Sequence, residues 1–226
     1  MKIKFFGQST FLIDFHGIDL LFDPFITDNP IAVNKDISQI NPAYILLSHG
    51  HADHIADAEA IAIQSKAKVI SNYEITTWYG QKGIEGHPLN HGGKASFDFG
   101  HVKYVNAIHT SSLPDGSDGG YPGGFVVWND QTCFYFAGDT ALTMDMKLIP
   151  ITCPKLDFAI LPIGDNFTMG YDDAAVAAEF IQCDKIIGCH YNTFGYIKID
   201  EQKAIQAFEA KGKELILINP GDTIEL

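Results

Sequence analysis

The chain has 226 residues and a formal net charge of −13, with 28 acidic against 15 basic residues. Hydrophobic residues make up 46% and charged residues 19% of the chain, a composition typical of globular and not of disordered proteins. The negative charge excludes nucleic acid as an expected partner, because a phosphate backbone would be repelled. We expect a single domain over residues 1–226, large enough to bury a continuous core.

The apolar runs of the chain are all short. The longest, such as residues 43–47 and 158–162, fall far below the roughly 20 residues that a membrane helix requires. Gly7 and Gln8 interrupt the apolar start of the chain, which is therefore too short to act as a signal peptide. We expect a cytoplasmic protein with no membrane partner. Its cysteines show no CxxC spacing and are expected to be reduced.

The first part of the chain predicts mainly β structure. Short apolar runs bounded by turn residues predict strands at residues 2–6, 10–15, 18–22 and 43–48. A helical pattern, a strand, a second helix and a glycine-rich loop follow at residues 53–64, 68–71, 74–80 and 81–94. The strand at residues 43–48 is continuously apolar, as expected of a strand that is buried on both faces.

The second part of the chain has the same order of elements as the first, with several strands followed by alternating strands and helices. Strands are predicted at residues 95–99, 102–109, 125–129 and 132–137, with a long loop at residues 111–124. A strand, helix, strand, helix and strand then follow at residues 158–162, 172–182, 185–188, 200–211 and 215–218. These two halves predict an α/β (α+β) fold, a four-layer αββα sandwich of two mixed β-sheets with helices on the outer faces.

The segment SHGHADH, at residues 48–54, places four potential metal ligands within six positions. His49 and His51 lie two positions apart in an extended segment, so both side chains can reach one metal. Asp53 and His54 fall in the first turn of the following helix and are rotated toward a second position. Imidazole and carboxylate ligands suit zinc and similar divalent ions. A polar loop that merely caps a helix is the alternative, and this density of ligands disfavours it.

One segment cannot complete two metal sites, so further ligands are expected elsewhere in the chain. His109, Asp139 and His190 each stand at the carboxyl end of an apolar strand, where side chains can converge on one face of a sheet sandwich. Each of them alone would be unremarkable as a strand-end residue. Together with the histidine-rich segment, they predict a centre with ligands from several strands.

The whole pattern resembles the metallo-β-lactamase superfamily. It consists of HxHxDH, a histidine at a strand end, Gly-Asp-Thr at residues 138–140 and a late histidine, and it spans most of the chain. Within the superfamily, the chain resembles a small group of metal-dependent hydrolases related to ascorbate-phosphate lactonases and phospholipase D-type phosphodiesterases. The matching pieces lie at residues 7–13, 23–25, 92–93 and 164–170.

The resemblance implies an allotment of the ligands to two ions. One ion would be bound by His49, His51 and His109, and the other by Asp53, His54 and His190, with Asp139 bridging both. Asp23 would steady the HxHxDH segment. Gln8 departs from the pattern, because the related lactonases and phosphodiesterases carry a histidine before the serine.

The resemblance also implies the chemistry. The oxygen-reducing di-iron members have a glutamate where this chain has His51, so two zinc ions are favoured, with manganese as the alternative. A hydroxide held between the two ions would be the nucleophile. Asp53 is the predicted catalytic residue that orients it, and Asn192 is a candidate donor to the oxyanion, as is Thr110.

The expected substrate is a small molecule with an ester, lactone or phosphodiester bond. A superfamily nuclease would be expected to carry a basic groove, and a thioesterase of the glyoxalase type would need a basic patch for glutathione. A binding module that retained only the fold would be expected to have lost ligands, whereas every ligand position is filled here. Formation of a homo-oligomer is a further expectation, and it rests on the resemblance alone.

Overall fold

The chain forms two compact units, each containing one seven-stranded sheet. The structure, a computed structural model, describes residues 1–226. The first unit comprises Met1–Asn90, Thr110–Pro122 and Ile218–Leu226, and the second comprises His91–His109 and Gly123–Leu217. Two mixed sheets with helices confirm the predicted α/β class. The prediction of a single domain over residues 1–226 stays a prediction.

The helices and strands are numbered in chain order. The strands are β1 (Lys2–Gly7), β2 (Thr10–Phe15), β3 (Ile18–Phe22), β4 (Tyr44–Leu46), β5 (Lys68–Ser71), β6 (Gly86–Pro88), β7 (Lys94–Phe97), β8 (Gly100–Asn106), β9 (Gly123–Trp128), β10 (Cys133–Phe136), β11 (Phe158–Pro162), β12 (Lys185–Cys189), β13 (Glu214–Ile216) and β14 (Thr223–Glu225). The α-helices are α1 (Ala52–Ile55), α2 (Ala58–Ser65), α3 (Tyr73–Gly80), α4 (Ile149–Thr152), α5 (Tyr171–Phe180) and α6 (Glu201–Glu209). Short 3₁₀ helices span Met144–Leu148 and Gly195–Ile197.

The sheet of the first unit has the order β14-β1-β2-β3-β4-β5-β6. Its pairs are antiparallel from β14 to β3 and parallel from β3 to β6. Apolar residues of the parallel strands, including Ile45 and Val69, belong to one buried cluster with Ile61 of α2 and Ile75 of α3. This packing fixes the carboxyl end of β4, from which the histidine-rich segment leaves the sheet.

The sheet of the second unit has the order β13-β12-β11-β10-β9-β8-β7. It is antiparallel from β7 to β10 and parallel from β10 to β13. Small residues of α5, such as Ala174 and Ala178, are fully buried in one cluster with Ala159 and Leu161 of β11. Because β10, β11 and β12 are parallel, their carboxyl ends lie at one edge of the sheet. No helix in the structure is both long enough and apolar enough to cross a bilayer.

The prediction of one helix over residues 53–64 is wrong. The chain turns at Ala56 and Asp57, so that α1 and α2 are separate helices. The carboxylate of Asp57 is buried and accepts hydrogen bonds from the backbone N–H groups of Ile26 and Thr27 and from the Thr27 hydroxyl. These hydrogen bonds to a distant segment stabilise the turn that separates α1 from α2.

Other boundaries also differ from the prediction. The predicted loop at residues 81–94 contains β6, and β14, α4 and the two 3₁₀ helices were not predicted. The predicted strand at residues 102–109 ends as β8 at Asn106, so His109 lies in the segment that follows the strand.

Candidate metal centre

The histidine-rich segment connects β4 to α1 in the first unit. His49 and His51 lie in the extended segment before α1, whereas Asp53 and His54 lie within that helix. Gly50 separates the two histidines, and its N–H donates a hydrogen bond to the Ser111 hydroxyl over 3.0 Å. A Cβ atom at this position would approach the carbonyl oxygen of Ser112 to 3.1 Å. Glycine therefore allows the segment to pack closely against the loop that follows His109.

The imidazoles of this segment converge. The Nε2 atom of His49 lies 3.0 Å from Nδ1 of His51, and the ring centroids of His49 and His54 are 4.1 Å apart. Ligand atoms of Asp23, His49 and His54, all of them buried, lie within 4.8 Å of one another. We call Asp23, His49, His51, Asp53 and His54 the first cluster.

Asp23 orients His54 in the first cluster. It follows β3 with a left-handed backbone (φ 41°). Its Oδ1 atom accepts a hydrogen bond from the Ser48 N–H over 2.7 Å, and its Oδ2 atom lies 2.8 Å from His54 Nδ1. Burial raises the pKa of the Asp23 carboxyl, whereas His54 and Ser48 act to lower it. Because Nδ1 of His54 faces Asp23, its Nε2 atom is the one available as a ligand, the arrangement by which carboxylates commonly orient metal-binding histidines.

His49 and His51 are oriented by hydroxyl groups. The Ser48 hydroxyl lies 2.9 Å from His49 Nδ1, and the Thr110 hydroxyl lies 3.3 Å from His51 Nε2. The remaining nitrogens, His49 Nε2 and His51 Nδ1, therefore face each other across 3.0 Å. Two nitrogens bound to one tetrahedral zinc ion at 2.0–2.1 Å would lie about 3.3 Å apart. The observed spacing is close to that value.

Gln8 supports the carboxylate of Asp53. Its Nε2 atom donates a hydrogen bond to Asp53 Oδ2 over 2.8 Å, and the same oxygen lies 3.5 Å from His54 Nε2. Gln8 is fully buried, has a left-handed backbone (φ 56°) and leaves its own Oε1 atom without a hydrogen-bond partner. Strain and an unsatisfied polar atom are destabilising, and native proteins concentrate such features at functional sites.

The second unit holds a cluster of its own, consisting of His109, Asp139 and His190, which we call the second cluster. Asp139 Oδ2 lies 3.0 Å from His190 Nε2 and 3.5 Å from His109 Nε2. Asp139 follows β10 and His190 follows β12, at the edge where these parallel strands end. The Thr140 hydroxyl accepts a hydrogen bond from the Ile108 N–H over 3.0 Å and so ties the His109 segment to the Asp139 segment. One carboxylate oxygen is thus placed beside two imidazoles.

Asn192 has contacts that serve its own loop. Its Oδ1 atom accepts a hydrogen bond from the Ile199 N–H over 3.0 Å, and its amide donates one to Glu201 over 2.9 Å. The amide therefore stabilises the turn after His190. These contacts do not favour the role of an oxyanion donor, which stays a prediction.

The donor set of both clusters fits divalent metal ions. Each cluster combines imidazole nitrogens with carboxylate oxygens, the ligand types that zinc and related ions prefer. Burying carboxylates and imidazoles side by side is costly unless cations or hydrogen bonds compensate them. Two supporting residues were not anticipated, namely Ser48 and Ser111. No sequence pattern marks a serine as the partner of a ligand segment.

The chain is similar to known proteins over most or all of its length. The family model described as "Beta-lactamase superfamily domain" matches residues 2–190. A UPF0173 metal-dependent hydrolase of Christiangramia forsetii is 59% identical over 227 residues, and one of Flavobacterium johnsoniae is 54% identical over 226 residues; each alignment covers 100% of both chains. The solved structure of Igni18, described as a novel metallo hydrolase from Ignicoccus hospitalis, has a TM-score of 0.90 and 31% sequence identity, and covers 99% of this chain and 97% of that chain.

Proposed function

This chain belongs to the metallo-β-lactamase superfamily and is a metal-dependent hydrolase, and on that premise we propose that it uses two divalent cations to hydrolyse a small ester, lactone or phosphodiester. The membership confirms the resemblance that the HxHxDH pattern indicated. The number of metal ions, their identity and the class of substrate do not follow from membership of the superfamily and are proposed here.

In this proposal both clusters contribute to one centre. The first ion would be bound by His49, His51 and His109, and the second by Asp53, His54 and His190, with Asp139 bridging. Zinc is the favoured ion and manganese the alternative, because imidazole predominates among the ligands.

The observation that carries the proposal is the orientation of the first cluster. His49, His51 and His54 each have one ring nitrogen beside a supporting oxygen, from Ser48, Thr110 and Asp23 respectively. With one ring nitrogen supported in this way, the other ring nitrogen can act as the metal ligand, an arrangement typical of metal-binding histidines. Histidines that merely cap a helix would not need this arrangement.

The side chains of the chain have separate tasks in the proposed reaction. Bound cations would lower the pKa of a coordinated water toward neutral pH and polarise the substrate oxygen. Asp53, whose side chain is 28% exposed, can accept a hydrogen bond from the attacking water and orient it toward the substrate. Gln8 holds the Asp53 carboxylate in place, and Asp23 keeps the His54 ring in one orientation. No serine or cysteine nucleophile is required.

A small neutral or weakly anionic substrate agrees with the charge of the chain. A net charge of −13 would repel a nucleic acid, which disfavours the nuclease alternative. A thioesterase of the glyoxalase type would need a cluster of lysines or arginines to bind glutathione, and the sequence shows no such cluster. We propose a small-molecule substrate and no nucleic-acid partner.

The test is hydrolysis by the zinc-loaded protein, before and after a chelator. We expect cleavage within a panel of aryl esters, lactones, thioesters and bis-aryl phosphodiesters, loss of that cleavage with chelator, and recovery on adding zinc. Asp53→Ala should abolish cleavage, whereas Asp172→Ala, which removes an exposed carboxylate from the first turn of α5, should not. Cleavage that survives both the chelator and Asp53→Ala would overturn the proposal.

A further inference from the structure

Two exposed aromatic side chains face each other on two neighbouring loops of the second unit. Phe167, in the segment between β11 and α5, is 53% exposed, and Tyr196, in the 3₁₀ helix after His190, is 79% exposed. Their ring centroids are 6.2 Å apart and the ring planes meet at 76°. Edge-to-face rings at this distance attract each other, so the pair is a defined feature of the surface.

The segment that carries Phe167 is anchored next to Asp139. The N–H of Met169 donates a hydrogen bond to the carbonyl oxygen of Thr140 over 3.0 Å. A bridge between Gly164 and Gly170 closes this segment into a loop. Asp165 and Asn166 adopt left-handed backbones (φ 62° and 58°) immediately before Phe167. A strained loop whose ends are fixed presents Phe167 to solvent.

The segment that carries Tyr196 is anchored in the same way. It leaves His190, which has a left-handed backbone (φ 55°), and is closed by a hydrogen bond from the Asn192 N–H to the carbonyl oxygen of Ile197 over 2.8 Å. The two loops are in direct contact, because a Cβ atom at Gly164 would approach the His190 carbonyl oxygen to 2.0 Å. Strained backbone next to metal ligands is the pattern expected of a functional site.

We propose that Phe167 and Tyr196 form a subsite that binds an aryl group of the substrate. This inference rests on the proposed function and specifies its substrate class. Large aromatic residues held at the surface on fixed loops bind flat apolar groups by stacking and by edge contacts. An interface with a second copy is the other use of such residues, but two rings supply far less than the about 800 Å² per partner that a stable interface buries.

The test compares the affinity of the zinc-loaded protein for two inert probes, benzylphosphonate and methylphosphonate, by calorimetry. We expect wild-type protein to bind benzylphosphonate about tenfold more tightly, the size of effect that aromatic contacts typically produce. The double variant Phe167→Ala/Tyr196→Ala should bind both probes equally. Tyr73→Ala, which removes an exposed aromatic ring from the start of α3, should keep the preference.

Equal affinities in the wild type, absence of binding, or a preference that survives in the double variant would overturn the inference. So would a dimer of the wild type that becomes a monomer in the double variant, because the rings would then belong to an interface. Hydrolysis of the ester panel without a benzyl preference would retain the proposed function and remove only the subsite. A benzyl preference without any hydrolysis would retain the subsite and remove the proposed reaction.

Discussion

The side-chain amide of Gln8 donates a 2.8 Å hydrogen bond to the carboxylate of Asp53, a residue 45 positions away in the chain. The bond fixes the amide so that its nitrogen faces Asp53 and its oxygen is buried without a partner. A glutamine at this position supplies a hydrogen-bond donor without adding a group that titrates near neutral pH.

Gln8→Ala is expected to lower zinc affinity and kcat by about 10- to 100-fold, the usual effect of removing a residue that orients a metal ligand. Gln8→His should recover most of this loss, because a ring N–H can replace the amide donor. The measurements are zinc titration and ester hydrolysis at saturating zinc. Gln39→Ala, at an exposed glutamine of the same unit, is the control and should change neither quantity. An unchanged zinc affinity in Gln8→Ala would show that Asp53 does not depend on Gln8.

Asp23→Asn is expected to weaken zinc binding by about 10- to 100-fold, because the amide cannot accept hydrogen bonds at both atoms, Oδ1 facing the Ser48 N–H and Oδ2 facing His54 Nδ1. Asp57→Asn is the matched control, since Asp57 is a buried carboxylate that holds Ile26 and Thr27 and no histidine. It should lower the free energy of unfolding by about 1–3 kcal/mol and leave the zinc affinity of the folded protein within threefold. Similar zinc affinities in the two variants would contradict the role given to Asp23.

Stability is expected to fall at alkaline pH because of two buried thiols. Burial raises the pKa of Cys133 to about 12 and that of Cys183 to about 11, whereas an exposed thiol has a pKa of about 8.5. Above about pH 8.5 the unfolded chain loses these protons while the folded chain keeps them, so rising pH favours unfolding, by at most about 1.4 kcal/mol per pH unit for each thiol.

Urea unfolding under reducing conditions between pH 7 and 10 measures this effect. The free energy of unfolding should be nearly constant up to about pH 8 and then decline. Cys133→Ala/Cys183→Ala should decline less steeply over the same range. An identical slope in the double variant would show that other groups cause the loss.

The local features of the chain could be predicted from its sequence. The HxHxDH segment is continuous in the sequence and runs from the end of β4 into α1, so its spacing alone indicates its chemistry. The central strands, such as β4 and β11, are continuously apolar, and their predicted bounds agree with the structure within two residues. Family membership followed from the order of these local motifs.

The features that depend on distant contacts could not be predicted. The break between α1 and α2 depends on the bonds of Asp57 to Ile26 and Thr27, about 30 positions away in the chain. The strand β6 contains Gly86 and Pro88, which disfavour a strand, but it pairs with β5 through backbone hydrogen bonds such as that from Val69 to Glu85. Gln8 was recognised as a departure from the family pattern, whereas its bond to Asp53 required the fold.

The measurement that tests the central claim most directly is the number of zinc ions bound per chain. Wild-type protein should bind two, and His54→Ala in the first cluster and His190→Ala in the second should each bind about one. Because the proposal assigns these two histidines to the same ion, the double variant should still bind about one, and His87→Ala should bind two as the control. A double variant that binds none, or a wild type that binds fewer than two, would contradict a shared two-ion centre.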